Sequence, residues 1–486
     1  MIPVAYWLRE SVRIEPAGAG RRRVVSEAPL TVLTINHAAA ELLEVTRRGA
    51  SVADLAAAFD ADQERIFLLC ERFRRRGILQ VRRAPVDAGF SPTVTVIVPT
   101  QDRVDDLDDC LQALSRLDHP RDRLEVIVVD DGSTDPSAVA DVVARHDARL
   151  LTNECNHGAP YSRNRAARVA AGEILAFIDS DCVPGRGWLG ELIPYFCWDK
   201  VGAVGGRTVN YYTGSRLDRY EEVSSPLDMG KDLIIQARGQ STFYVPTCNL
   251  LVRRSTYEDL GGLREDLLVG EDVDFCWRLR ANGLYLVYAP EGLVRHKHRD
   301  RLGAMLRRRA EYGTSEATLY SLHRDKRKRF PVSPAPAATV GLFSTALLTR
   351  KVQLLLPCLL PPLADCVRRG LKLRREAIGA PARAVCVSVA RGHLSMVYFV
   401  FFHLVRYYLA PLAAAGLFVP GIRLLAATAV LYSGGVDYVT RRPRMTYPVY
   451  LAYYVAEHAA YQAGVMAGCV RSRTFRCYLL GRSGTR

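Results

Sequence analysis

The chain has 486 residues, 49% of them hydrophobic and 24% charged, which is more than one hydrophobic core organises, so two or three domains are expected. Its formal net charge of +15 favours an anionic partner, whether a nucleotide, a nucleic acid or an acidic membrane surface, without choosing among them. The 12 cysteines are scattered and include no C-x-x-C pair, which excludes the usual structural zinc and dithiol redox sites and reads as reduced thiols.

In chain order, MIPVAYWLRESVRIE lacks a basic stretch followed by an apolar one and a small-residue cleavage site, so residues 1–330 are expected to stay in the cytoplasm. Within residues 1–85, strand-like SVRIEP, RRVVSE and PLTVLTI lead into helical patterns at AAAELLEVT, SVADLAAAF and DQERIFLLCERFRRRG, with Ser51 as an N-cap. A final ILQVRR strand completes a winged-helix-like pattern, and PVDAGFSP reads as the linker out of it.

From residue 93 the pattern alternates: TVTVIVPT, DDLDDCLQALSRL, LEVIVVDD, PSAVADVVARHD, EILAFIDSD. Short β-branched runs alternating with helices predict an α/β domain over 93–325, built on a parallel sheet covered on both faces. Ligands gather at the carboxyl edge of such sheets. All three predicted strand ends carry acid there: Asp102, Asp130 with Asp131, and Asp179 with Asp181.

Residues 335–486 read as a helical, hydrophobic region with basic flanks. Arg406 and Arg423 interrupt its apolar runs, and Pro411 and Pro420 would bend a helix. It is either an amphipathic helical domain or a membrane-inserted or re-entrant region whose basic flanks contact anionic lipid at the cytoplasmic face.

The acidic strand ends carry the chemistry. Asp179-x-Asp181 puts two carboxylates on one side of an extended segment, with Asp181 placed to ligate Mg²⁺ or Mn²⁺. The DDGST turn at Asp130 and Asp131 suits the ribose and base of a nucleotide, although an acidic turn can also be plain structure. Arg163 and Asn164, near a helix start, can meet a diphosphate, although Arg163 can equally be an ion-pair partner. Glu271 and Asp272 open an amphipathic helix, where a carboxylate can act as general base or simply cap the helix.

The series VIVPTQDR, VVDDGST, GAPYSRNRA, FIDSDC, VGGRTV, TCNLLVRRSTYEDLGGLRE and GEDVDFCWRLRANG, with a later histidine, resembles the family 2 glycosyltransferases, inverting enzymes of the GT-A fold, over about residues 93–300. The resemblance implies that Asp102 and Asp131, with Asp130, hold the uracil and ribose of a UDP-sugar. It implies Asp181 as metal ligand with Asp179 in support, and Asp272 as general base beside Glu271. His296 resembles a further metal ligand, with His298 as the alternative. Gly206, Arg207 and Asn249 resemble acceptor-side structure. PTQDR departs from relatives that carry Tyr or Arg around the aspartate.

LTINHAAAELLEVTRRGASVADLAAAF with GILQV resembles PqqD-like peptide-recognition domains, which turns a basic winged-helix-like unit away from nucleic acid and toward a peptide. The order of the three parts resembles the glycosyltransferases of mycofactocin systems. That implies a peptide-derived redox cofactor precursor as acceptor, decorated with β-1,4-linked oligoglucose from UDP-glucose. Two alternatives stand beside it: a lipid-linked or cell-envelope acceptor at the membrane, and a non-catalytic DNA- or peptide-binding protein.

Overall fold

The computed structural model describes residues 2–18, 20–27, 30–84, 90–236, 242–326, 328–329, 333–376 and 378–481. Of the predicted linker 85–92, residues 85–89 lie outside these.

The N-terminal unit holds β1 (Val4–Leu8), β2 (Val12–Pro16), β3 (Arg21–Glu27), β4 (Leu30–Asn36), α1 (His37–Val45), β5 (Ala50–Ser51), α2 (Val52–Ala58), α3 (Gln63–Arg75) and β6 (Leu79–Arg83). Two three-stranded sheets form, β5-β1-β6 and β2-β3-β4. Ser51 caps α2 in a reciprocal capping box with Asp54. VAYWL, which sequence reading left unassigned, is the central strand β1, buried along most of its length. α3 is not a free recognition helix. Its Phe67 packs edge-on against Trp198 and Tyr285, and its Glu64 accepts a 3.1 Å hydrogen bond from the Tyr285 hydroxyl.

The central unit runs β7 (Val94–Thr100), α4 (Val104–Leu114), β8 (Leu124–Asp130), α5 (Pro136–Arg145), β9 (Arg149–Thr152), α6 (Ala159–Ala167), β10 (Ile174–Ile178), β11 (Cys182–Pro184), α7 (Trp188–Leu192), β12 (Val201–Asn210), α8 (Arg216–Ser224), β13 (Ile234–Gln236), β14 (Asn249–Arg253), α9 (Arg254–Asp259), α10 (Glu271–Ala281) and β15 (Tyr285–His296). Every residue of β7 is buried, as a strand covered on both faces requires. The nine-stranded sheet has the order β11-β15-β12-β14-β10-β7-β8-β9, with β13 beside β15.

This is the mixed α/β, GT-A-like architecture, with one correction to the expected parallel sheet. β10, β7, β8 and β9 are parallel neighbours, but β14 inserts antiparallel between β10 and β12. The reversal arises beyond the alternating motifs, because β14 is reached by a long excursion rather than by a helical crossover.

The C-terminal unit packs α11 (Leu302–Leu322), α12 (Pro334–Thr349), α13 (Leu360–Arg375), α14 (Ala382–Phe418), α15 (Pro420–Arg441) and α16 (Tyr447–Arg471). Gly313, Gly464 and Gly468 bring α11 and α16 nearly into backbone contact: a Cβ on Gly464 would lie 1.8 Å from the Ala310 carbonyl oxygen. α14 continues through Arg406 and Pro411, while Pro420 opens α15, which carries Arg423. Pro411 has no N–H for the Tyr407 carbonyl, and Gln462 of α16 supplies it instead, at 2.9 Å, while accepting from the Ala410 N–H at 3.0 Å. Among the described residues α14 alone is long and apolar enough to cross a membrane.

Candidate active site

The carboxyl ends of β7, β8 and β10 open on a cavity of about 740 Å³. Asp102 sits just past β7 at φ 53°, a left-handed conformation that Asp tolerates better than most residues. Its carboxylate accepts a 2.6 Å bond from the Thr134 N–H, and its own N–H donates to the Ser133 hydroxyl at 2.9 Å. The β7 and β8 strand ends are thereby clasped, with Asp102 itself exposed to solvent. Asp131 reaches the cavity wall while accepting from Asn153 Nδ2 (2.6 Å), the His157 N–H (3.0 Å) and the Gly158 N–H (2.8 Å). It fixes the loop that starts α6.

α6 delivers Arg163, whose buried guanidinium joins two acids from distant parts of the chain. One arm pairs with Asp179 and the other reaches Glu271 Oε1 at 3.2 Å. Glu271 and Asp272 occupy the first turn of α10, which Gly270 enters at φ 87° because the loop arrives in the left-handed region. Burial pushes the Asp272 carboxyl up to about 7, and the neighbouring Glu271 pushes in the same direction. Burial also raises Glu271, against the pull of Arg163. A carboxylate poised near neutrality at a cavity wall suits proton abstraction.

Asp181 and His296 come together at the edge formed by β11 and β15. His296 Nε2 lies 3.3 Å from an Asp181 oxygen, and its other ring nitrogen lies 3.2 Å from that of His298, which orients the ring. Burial first, then His296, lowers His298 to about 2 and keeps it neutral. Asp181, Cys182 and His296 offer ligand atoms within 4.8 Å of one another. Burial raises the Cys182 thiol far above its ordinary range, so it stays protonated and is a poor ligand. The donors that fit a hard divalent cation are therefore the carboxylate and the imidazole. The guanidinium of Arg103 also pairs with Asp181.

Five sequence-predicted residues do not line the cavity: Asp102, which clasps the strand ends from outside it, and four more. Asp130 is fully buried and accepts from the Ser133 N–H at 3.0 Å, supporting its turn rather than facing a nucleotide. Asn164 points into the protein. Its Nδ2 donates to the Leu263 carbonyl and to Glu265, both at 2.8 Å, and its Oδ1 accepts from the Leu263 N–H at 2.9 Å. Arg207 forms a two-pronged pair with Asp228, at 3.0 and 2.7 Å, which anchors the loop carrying Pro226 and Leu227 to the cavity. Asn249 is fully buried, accepting from Trp188 Nε1 at 2.7 Å and donating to the Gly292 carbonyl at 2.9 Å. Gly206 is needed for this approach, since a Cβ there would lie 1.9 Å from the Gly292 oxygen.

Sequence reading missed Arg103, although it stands in the quoted PTQDR, and the whole far wall of the cavity. That wall comes from α11, α14 and α16, through Arg308, Tyr312, Glu316, Arg406, Glu457 and Tyr461. Glu457 draws α8, α11 and α14 together, accepting from the Tyr220 hydroxyl at 2.7 Å and pairing with Arg309 at 3.3 Å and Arg406 at 3.7 Å. Arg309 continues to Glu221 at 2.7 Å. Beside this network Glu316 accepts from the Tyr407 hydroxyl at 2.7 Å and pairs with Lys328 at 2.5 Å. No local motif announces residues that meet only through helix packing.

Residues 95–261 match the family described as Glycosyl transferase family 2. Over 235 residues the chain is 37% identical to the Pre-mycofactocin glycosyltransferase of Mycobacterium tuberculosis, covering 48% of each sequence, so it spans about half the length of that relative. Over 243 residues it is 28% identical to Glycosyltransferase AglE of Haloferax volcanii, covering 49% of this chain and 77% of the other. Among solved structures, the mannosyltransferase PcManGT from Pyrobaculum calidifontis, in complex with GDP-Man and Mn²⁺, overlaps at a TM-score of 0.40 and 22% identity, over 64% of this chain and 89% of that one.

Proposed function

We propose that the chain, whose residues 95–261 match Glycosyl transferase family 2, moves glucose from UDP-glucose to a peptide-derived redox cofactor precursor of the mycofactocin class. The product would be a β-1,4-linked oligoglucose, built by inverting transfer. The observation that supports transfer is the convergence on one cavity of Asp131, the Asp179–Arg163–Glu271 bridge, the Asp181–His296 pair and Asp272. The partial match to the Pre-mycofactocin glycosyltransferase supports the acceptor.

Asp272 takes the proton of the acceptor hydroxyl as that oxygen attacks the anomeric carbon from the face opposite the nucleotide. Its raised proton affinity lets it hold that proton near neutral pH. Arg163 keeps Asp179 and Glu271 in register, so the donor and base sides move together. Asp181 and His296 would hold Mg²⁺ or Mn²⁺, which when bound supplies charge to stabilise the departing nucleoside diphosphate. The sheet side would take the donor, and the wall of α11, α14 and α16 would shape the acceptor half. Residues 1–85 would recognise peptide in the manner of PqqD-like domains, residues 93–325 would perform transfer, and residues 335–486 would place the enzyme on the cytoplasmic face of an anionic membrane. No role for nucleic acid is included.

A second reading, transfer to a lipid-linked acceptor, is favoured by the apolar α14. One assay separates the two: radiolabelled UDP-glucose with Mn²⁺ or Mg²⁺, or with chelator, offered a mycofactocin-type precursor or a membrane lipid extract. Label on the precursor only with metal is expected. Label in the lipid alone would overturn the acceptor, and no metal-dependent transfer to either would overturn the reading as a whole.

A further inference from the structure

α13 is built inside out for a helix surrounded by water. Its one buried residue is Asp365, 2% exposed, which pairs with His393 of α14 at 3.6 Å. Its apolar residues face outward: Leu360, Leu363, Val367 and Leu371 are 63, 58, 62 and 48% exposed. They recur at i, i+3, i+7 and i+11 and so form one stripe along the helix. Arg368, Lys372 and Arg375 follow along one border of that stripe, and the Arg368 and Lys372 side chains are each 74% exposed.

The stripe continues beyond the helix. The preceding segment exposes Val352, Leu355, Leu356 and Leu359, next to Arg350 and Lys351. The turn between α14 and α15 exposes Leu417 and Phe418, at 76 and 85%, beside Arg423. These two apolar tips belong to the same end of the helical unit, because Gly421 at the start of α15 packs on the last turn of α12. A Cβ on Gly421 would lie 1.9 Å from the Leu348 carbonyl oxygen.

We propose that residues 352–375 and the 417–419 turn form one docking surface for an anionic bilayer, with the leucine row in the acyl boundary and the basic border on lipid phosphates. Charge complementarity selects this occupant: a water-exposed apolar row edged by cations matches the depth profile of an anionic leaflet. The attachment lies on the bilayer rather than across it, since Arg406 and Tyr407 of α14 are committed to the cavity wall. This surface rests on the membrane placement proposed above and is independent of the transfer reaction.

The test uses the full chain with sedimenting vesicles of phosphatidylcholine, alone or with about 30% phosphatidylglycerol, in about 0.1 M and 0.5 M salt. Binding to the anionic vesicles is expected, about tenfold weaker to neutral ones and weakened by salt. Leu363→Ser with Val367→Ser should cut binding about tenfold. Lys372→Glu with Arg375→Glu should erase the preference for phosphatidylglycerol. Thermal unfolding and solution transfer should be unchanged in both variants, because these side chains are exposed and far in sequence from the acids of the cavity. No vesicle binding by the parent chain would overturn the membrane placement itself. Binding that survives in both variants would overturn this surface alone. Leucine variants that dissolve a dimer of a chain without vesicle affinity would make the stripe a self-interface and end the proposal.

Discussion

The two walls of the cavity treat charge in opposite ways. On the sheet side Asp179, Asp181, Glu271 and Asp272 crowd around the guanidinium groups of Arg103 and Arg163, and Asp272 is left without a cationic partner that cancels its burial. On the helical side Glu221, Arg309, Glu457 and Arg406 close on one another, as do Glu316 and Lys328. An under-compensated wall is suited to binding cations and moving protons. A compensated wall gives shape, because its charges are already paired.

Replacing the least compensated acid should have the largest effect. Asp272→Asn should lower transfer by about 10²–10⁴-fold while calorimetry shows nucleotide binding intact, and full activity would remove the base assignment. Asp181→Ala should weaken Mn²⁺ binding, read by calorimetry, by about 100-fold or more, which is the upper end of what losing even an outer contact costs.

On the helical side the expected loss is stability. Glu457→Ala deprives Arg406 of this carboxylate and leaves Arg309 with Glu221 alone, and should cost about 3–5 kcal/mol in chemical denaturation, with donor hydrolysis per folded molecule retained. A variant that unfolds normally but loses hydrolysis would erase the distinction between the walls. Asn164→Ala belongs with the structural class despite its place in a donor motif. It should cost about 1–3 kcal/mol and leave the donor KM unchanged.

The smallest effect is in pH dependence. Asp272 is deprotonated, and therefore a base, only above about 7, so kcat/KM should rise through that range from the acid side. Glu271→Gln removes a like charge and should move this limb to lower pH. The sign for stability is opposite. An acid whose proton affinity is raised by folding favours the fold at low pH, and that contribution is lost as pH climbs through about 7. A limb that stays put in Glu271→Gln would show that the two acids are not coupled.

The acidic strand ends were legible because β7, β8 and β10 are short apolar runs whose termini can only lie at a sheet edge. The pairing of Asp181 with His296 was legible only through family resemblance, since nothing local links residues brought together by the β11–β15 ladder. Asn164, Arg207 and Asn249 show the converse. Their motifs are polar and regularly spaced, but polarity in a motif does not say whether a side chain faces substrate or holds a turn, and here each holds structure.

The amino-acid sequence by itself determined the α/β core, the acids at its carboxyl edge and the cationic, apolar character of the last 150 or so residues, because strand burial, helix periodicity and composition act over short spans. Only the tertiary structure decided that β14 runs antiparallel, that α11, α14 and α16 form half of the cavity, and that α13 turns its leucines outward. Those outcomes depend on which surfaces meet across hundreds of residues. Glycine contacts such as Gly464 on Ala310, and ion pairs such as Arg309 with Glu457, exist only once the chain has closed on itself.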